Sequence, residues 1–262
     1  MEHDWKQLAV DLTEALGLAV PPVAMSFVEQ APADVEGFSL PMSEPTADGR
    51  RGRVPASCVF WMQAATAGTT FSTVAEDHGN CSVGRWVHGF ATPADIIGND
   101  DVGALFGSGW VTEDAVGGIM AVVDPSPVIT YGPLAQMTVA PDVVVLRLTP
   151  RQMMELGDAC PGVELSGKPQ CQIVTVAKEQ GKVAVSMGCA LSRERTDMPD
   201  DELTCAIPSA LLPSIVARLR DVLRADRAVR TFAVTEMASR RLAIAGGHVP
   251  APERSTDAHQ DN

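Results

Sequence analysis

Six cysteines, Cys58, Cys81, Cys160, Cys171, Cys189 and Cys205, are the side chains best suited to reactive chemistry in this sequence. A thiolate binds iron or zinc, or attacks carbon, according to what the fold builds around it. No two of them form a Cys-x-x-Cys pair, so a shared site has to be assembled from distant segments. Four have surroundings that suit such a site. Cys58 follows Pro55-Ala56-Ser57 at the start of an apolar run, where unpaired backbone N–H groups and a helix dipole favour thiolate. Cys81 lies within Asp77-His78-Gly79-Asn80-Cys81-Ser82-Val83-Gly84, where glycine lets backbone approach a ligand. Cys171 follows Gly167-Lys168-Pro169-Gln170, and Cys189 follows Gly188 ahead of Arg193. An iron–sulfur cluster of the 4Fe–4S kind fits this pattern, with Gly84 and Gly188 as the positions where bare backbone meets the cofactor. Zinc, or no metal at all, is the alternative. Each thiol is also a small apolar side chain that packs well in a core, and Cys160 and Cys205 take that reading.

His78 and His88 flank Cys81 at spacings that allow one imidazole to bind metal or move a proton, while an ordinary hydrogen-bonded histidine explains either. Arg193, in Ser192-Arg193-Glu194-Arg195, is a candidate clamp for a substrate carboxylate or part of a solvated charged run. No glycine-rich phosphate loop and no nucleophile elbow is present, so nucleotide binding and serine hydrolysis have no support.

The elements that would position these residues follow from hydrophobic periodicity. Trp5, Leu8, Ala9, Leu12 and Leu16 recur at helical spacing and Gly17 ends the run, which predicts a helix over 5–16. Pro21-Pro22 forces extended backbone into a strand at Val23–Val28. The segment 30–53 reads as a long surface loop, and 58–67 as a helix closed by Gly68. Short helices are expected near 81–87 and 113–120, strands at 127–131 and 142–148, and a helix from Pro150 to Leu156. Residues 173–177 and 183–187 read as two strands of a hairpin turning through Lys178-Glu179-Gln180-Gly181-Lys182, which would make Cys171 and Cys189 neighbours. A stripe from Leu211 to Leu223 gives an amphipathic helix over 208–223, with a further helix over 231–245.

The expected fold is therefore α/β: a single compact domain over 1–246, a mixed β-sheet with packed helices, a long C-terminal amphipathic helix, and a disordered tail over 247–262. The 262 residues carry a formal charge of −13, which argues against nucleic acid and anionic membrane as partners and leaves a small-molecule substrate, with a homo-oligomer open. Met1-Glu2-His3-Asp4-Trp5-Lys6 lacks the basic flank and apolar core of a secretory signal, so the expected compartment is the cytoplasm, where persistent disulfides are rare.

The chain resembles family 169 of the domains of unknown function, a group of bacterial and archaeal proteins without a settled activity. The resemblance rests on Pro21-Pro22-Val23-Ala24 after an opening helix, Cys58 with Ala64 and Gly68, and Cys81 with Gly84. It continues through Pro150 with Met153, Cys171, Ser186-Met187-Gly188-Cys189 with Arg193, and Ile207-Pro208, spanning roughly residues 5–225. It implies that Cys58, Cys81, Cys171 and Cys189 are the positions of interest and that Cys160 and Cys205 are particular to this chain.

These readings lead to a cytoplasmic iron–sulfur enzyme acting on a small molecule, by Lewis-acid lyase or hydrolase chemistry if three cysteines bind and by redox chemistry if all four do. The alternatives are a non-enzymatic ligand-binding or regulatory protein with zinc or unmetallated cysteines, and an enzyme that uses Cys58 as a nucleophile.

Overall fold

The computed structural model describes residues 3–38, 57–79, 81–196 and 198–245. In chain order the elements begin with α1 (Trp5–Leu16), β1 (Val23–Val28), α2 (Ser57–Ala67), β2 (Phe71–Thr73), α3 (Ser82–Val87), α4 (Pro93–Ile96), α5 (Asp100–Gly107) and α6 (Glu113–Val116). They continue with β3 (Val128–Pro133), β4 (Val143–Leu148), α7 (Pro150–Ala159), β5 (Val163–Leu165), α8 (Gln172–Gln180), β6 (Val183–Ser186), α9 (Ala190–Thr196), β7 (Leu203–Pro208) and α10 (Leu212–Ala245). The strands form one mixed sheet in the order β2-β3-β1-β4-β7-β6-β5, with β5 and β6 parallel and the other pairs antiparallel. The fold is α/β, as the alternation of strand and helix signals implies.

Register decides which side chains reach which face. Met25 lies opposite Val143, Val23 opposite Val145, Val145 opposite Ala206, and Ala206 opposite Ala184. Together with Phe60 and Trp61 of α2 and Ile173, Val174 and Ala177 of α8, these side chains build the main core. Because side chains alternate along a strand, Cys205, opposite Leu146 and Val185, points to the other face. It packs there fully buried, as its sequence reading implies.

Local signals explain the element ends. Asp4 caps α1 by accepting from the N–H of Gln7 at 2.9 Å, and Gly17 ends the helix at φ 65°. Thr149 and Gln152 form a reciprocal capping box around Pro150 at the start of α7. The Gln152 amide then donates to the carbonyls of Leu16 and Gly17, both at 3.0 Å, tying the end of α1 to the start of α7.

Two sequence expectations need correction. Residues 173–177 are not a strand but the body of α8, and the supposed hairpin turn is its C-terminus, with Gly181 at φ 63°. The run Ile173-Val174-Thr175-Val176-Ala177 is buried throughout, and an apolar run without alternation fits a buried helix as well as a buried strand. The two helices expected over 208–223 and 231–245 are one, α10, preceded by a short 3-10 turn at Ser209–Leu211. Strand β7 lies immediately before them, its six residues all buried.

By its contacts the chain divides into two units, Met1–Arg220 and Asp221–Asn262. The first holds the sheet and the cysteines. Within the second, α10 carries the ion pairs Asp221–Arg224 at 2.9 Å and Asp226–Arg230 at 2.7 Å. Of the expected loop over 30–53, the residues from 39 onward lie outside the described residues, as does the tail over 247–262. Among the described residues no helix is long and apolar enough to cross a membrane.

Candidate functional site

Four helix starts meet at one cavity of about 90 Å³, lined by Cys58, Cys81, Cys171 and Cys189. Cys58 stands in the first turn of α2, Cys81 and Cys171 cap α3 and α8, and Cys189 directly precedes α9. The expected neighbourhood of Cys171 and Cys189 therefore exists, reached by a helix-to-strand turn in place of a hairpin. At a helix start the first N–H groups have no intrahelical partner, and here two of them turn to sulfur. Gly84 N–H donates to Sγ of Cys81 at 3.3 Å and Ser192 N–H to Sγ of Cys189 at 3.4 Å. Such contacts stabilise negative charge on sulfur.

Burial works in the opposite direction. It pushes the Cys58 thiol up to about 12, with the Cys81 sulfur nearby adding to the effect and the Ser192 hydroxyl opposing it. Cys171 is raised well above its usual value by burial and by the other three sulfurs. Cys81 is raised by burial, against the lowering influence of the Arg195 guanidinium and the Gly84 N–H. Without a cation in the cavity, Cys58 is a neutral thiol at pH 7. The helix-start argument for a Cys58 nucleophile is thus outweighed by desolvation. Bound iron or zinc would reverse the balance, since a coordinated thiol loses its proton outright.

The other expected site residues have different places. His78 and His88 are buried behind the cavity and do not line it. Nε2 of His78 lies 3.1 Å from Oγ1 of Thr73, and its ring packs between Phe60 and Phe90. His88 donates from Nδ1 to the Gly84 carbonyl at 3.0 Å and stacks on Phe27. Burial lowers both imidazoles, His88 to about 4, so both are neutral near pH 7.

Arg193 is not a free clamp. Nη1 donates to the Pro199 carbonyl at 2.6 Å, and Nη2 donates to those of Met187 at 2.7 Å and Glu202 at 2.8 Å. It fastens the Gly188-Cys189 corner to the start of β7. Gly188 sits under this side chain at φ 92°, where an added Cβ would lie 3.1 Å from Nε of Arg193 and 3.2 Å from Oε1 of Gln170. Gly84 lines the cavity together with Cys81.

Two lining residues escaped the sequence reading. Arg195 faces the cavity from α9, two residues beyond the arginine singled out. Gln170, 2% exposed, precedes Cys171 and has an Oε1 without a hydrogen-bond partner among the described residues. Arg-x-Arg on a short helix sends the two side chains in different directions but does not tell which of them faces the cavity.

Among the described residues no three His, Cys, Asp or Glu side chains close on one point as a single metal ion needs. A lone zinc would require sulfurs about 2.3 Å from one centre. Cys58, Cys81, Cys171 and Cys189 line one cavity, and thiolates are ligands for both zinc and iron.

The family model described as DUF169, uncharacterised ArCR, matches residues 11–218. The chain belongs to this family. The DUF169 match takes in every strand of the sheet and all four cavity cysteines, and it ends inside α10. No curated protein and no solved structure matches the chain.

Proposed function

We propose that this DUF169 chain is a cytoplasmic iron–sulfur enzyme acting on a small molecule, with Cys58, Cys81, Cys171 and Cys189 as ligands of a 4Fe–4S cluster. One observation carries the reading: four cysteines separated by up to 131 residues line a single cavity. With all four cysteines bound, a cluster there would supply an electron-transfer centre; with only three bound, its open iron would supply a Lewis acid for a hydroxyl, carboxylate or sulfur leaving group.

The chain's own residues have definite parts in this scheme. Gly84 and Ser192 give N–H groups to the Cys81 and Cys189 sulfurs. Arg195 supplies positive charge beside Cys81. Arg193 and Gly188 hold the Cys189 corner, and His88 holds the Gly84 carbonyl. The mostly apolar lining around the thiols would strengthen the electrostatic contacts made inside the cavity. The charge of −13 supports the absence of nucleic-acid and anionic-membrane partners.

Oxygen-free purification followed by a visible spectrum and elemental analysis tests the proposal. The expected result is brown protein with iron and acid-labile sulfide in equal amounts, bleached by dithionite. Colourless protein that stays so after reconstitution with ferrous iron and sulfide contradicts it. The second reading, a ligand-binding or regulatory protein with unmetallated cysteines, is favoured by the burial that keeps Cys58 and Cys171 protonated. It requires ligand binding unchanged in protein stripped of metal.

A further inference from the structure

Beside the thiols, the lining of this cavity is mostly hydrocarbon and aromatic ring, with Trp86, Leu105, Phe106, Trp110 and Ile119 among its side chains. Such a lining favours a ligand with an apolar body.

Charge within the lining is one-sided. The chain has 33 acidic residues against 20 basic ones, yet the described lining contains Arg195 and no Asp or Glu. Arg195 forms no ion pair with a carboxylate among the described residues, its near neighbour being the Cys81 thiol. A second cation stands close by, for Nζ of Lys168 lies 4.4 Å from the centre of the Trp110 ring. A guanidinium in a greasy cavity with no carboxylate partner is matched by an anion with two parallel acceptors.

Gln170 adds a second, independent requirement. Its Oε1 is buried beside Gly188 without a partner among the described residues, and a buried unmet acceptor is destabilising. A bound molecule that brings a donor to this side of the cavity removes that destabilisation. Arg195 and Gln170 both border the thiols, so the polar end of the molecule would sit at the sulfurs and its apolar end on the aromatic wall.

We infer that the substrate class of this cavity is a small apolar carboxylic acid with a hydroxyl beside the carboxylate, the carboxylate held by Arg195, the hydroxyl by Gln170 and the alkyl or aryl part by the Trp86–Trp110 wall. The inference rests on the proposed function in one respect, that it places the reacting end of this molecule next to the thiols.

Trp86 and Trp110 line the cavity, so their fluorescence reports its occupancy. The probes are 2-hydroxy-4-methylpentanoate, 4-methylpentanoate and 4-methylpentanamide, titrated into anaerobically purified full-length protein whose iron and sulfide are measured on the same sample. The expected order is hydroxy acid tightest, then the acid, with the amide at least about tenfold weaker than the acid. Arg195→Gln should bring acid and amide together, and Gln170→Leu should bring hydroxy acid and acid together. Because the comparison of the three probes needs only the natural protein, a variant that fails to fold does not spoil it. Equal affinity for acid and amide, or no response to any probe, overturns the inference. Acid preference in protein that takes up no iron and sulfide even on reconstitution sinks the cluster proposal and leaves this inference standing, while iron and sulfide without acid preference does the reverse.

Discussion

The backbone N–H of Gly84 donates to Sγ of Cys81 at 3.3 Å. The carbonyl of the same glycine accepts from Nδ1 of His88 at 3.0 Å, so one peptide segment links a buried imidazole to a cavity sulfur. That imidazole contributes through its position and must stay neutral to do so, because Nε2 is buried without a partner among the described residues.

Stability should therefore fall in mild acid. His88 has its proton affinity lowered from 6.5 to about 4, and His78 is lowered in the same direction, both by burial. Below pH 6.5 the unfolded chain takes up protons that the folded chain refuses, so unfolding gains free energy as pH falls from 6.5 to 4. The contribution of His88 is present above that window and lost through it, on the order of 3 kcal/mol. Urea unfolding of metal-free protein at pH 7 and pH 5 measures the drop. His88→Gln should flatten the slope, and an unchanged slope in that variant contradicts the assignment.

Gly188→Ala should destabilise more than Gly181→Ala. Both glycines have positive φ, at 92° and 63°, so either substitution strains the backbone by roughly 1 kcal/mol or more. At Gly181 nothing lies within 4 Å of the new methyl, whereas at Gly188 it meets Arg193 Nε at 3.1 Å and Gln170 Oε1 at 3.2 Å. Thermal unfolding of the two variants side by side should show the larger fall in Tm at Gly188. An equal fall would mean that the corner relaxes freely.

Arg193→Gln should loosen the Cys189 corner without touching the cavity wall. Three carbonyls lose a charged donor, those of Pro199, Met187 and Glu202, at a cost of about 2 kcal/mol or more. Hydrogen exchange over residues 186–190 should speed up, while exchange within α1 stays as it was. Unchanged exchange at the corner would show that Arg193 does not hold it.

Much of the sheet and the helix ends could be read along the chain, because Pro21-Pro22, Gly17, Gly68 and Pro150 are local signals that act within a turn of where they stand. The segment 172–180 could not, since its β-branched run carries strand propensity and only packing on both sides makes it helical. Glycine at 181 suits a hairpin turn and a helix end equally well. The four cysteines were recognisable by their position near structural breaks, but their shared cavity is a product of tertiary folding. Arg193 and Arg195 show the same limit: a charged run gives no indication of which guanidinium is bound to backbone and which faces a cavity. His78 and His88 are alike in sequence to proton carriers, and no local signal told that both are buried away from the cavity lining.

Metal-free protein should alkylate slowly at Cys58. With its thiol pushed up to about 12 against an ordinary 9, the thiolate fraction at pH 8 falls roughly a thousandfold, and iodoacetamide attack falls with it. Peptide mass spectrometry after timed alkylation checks this, with unfolded protein as the reference. Labelling of Cys58 as fast in the folded as in the unfolded chain would restore the nucleophile reading.

The central claim concerns four sulfurs acting as one ligand set, and iron and sulfide content of single alanine variants tests it most directly. Anaerobically reconstituted Cys58→Ala, Cys81→Ala, Cys171→Ala and Cys189→Ala should each lose part or all of the iron and sulfide that the natural protein holds. Cys160→Ala and Cys205→Ala, whose thiols lie outside the cavity, should retain all of it. Equal metal content in all six variants, or losses confined to Cys160 and Cys205, would contradict the account.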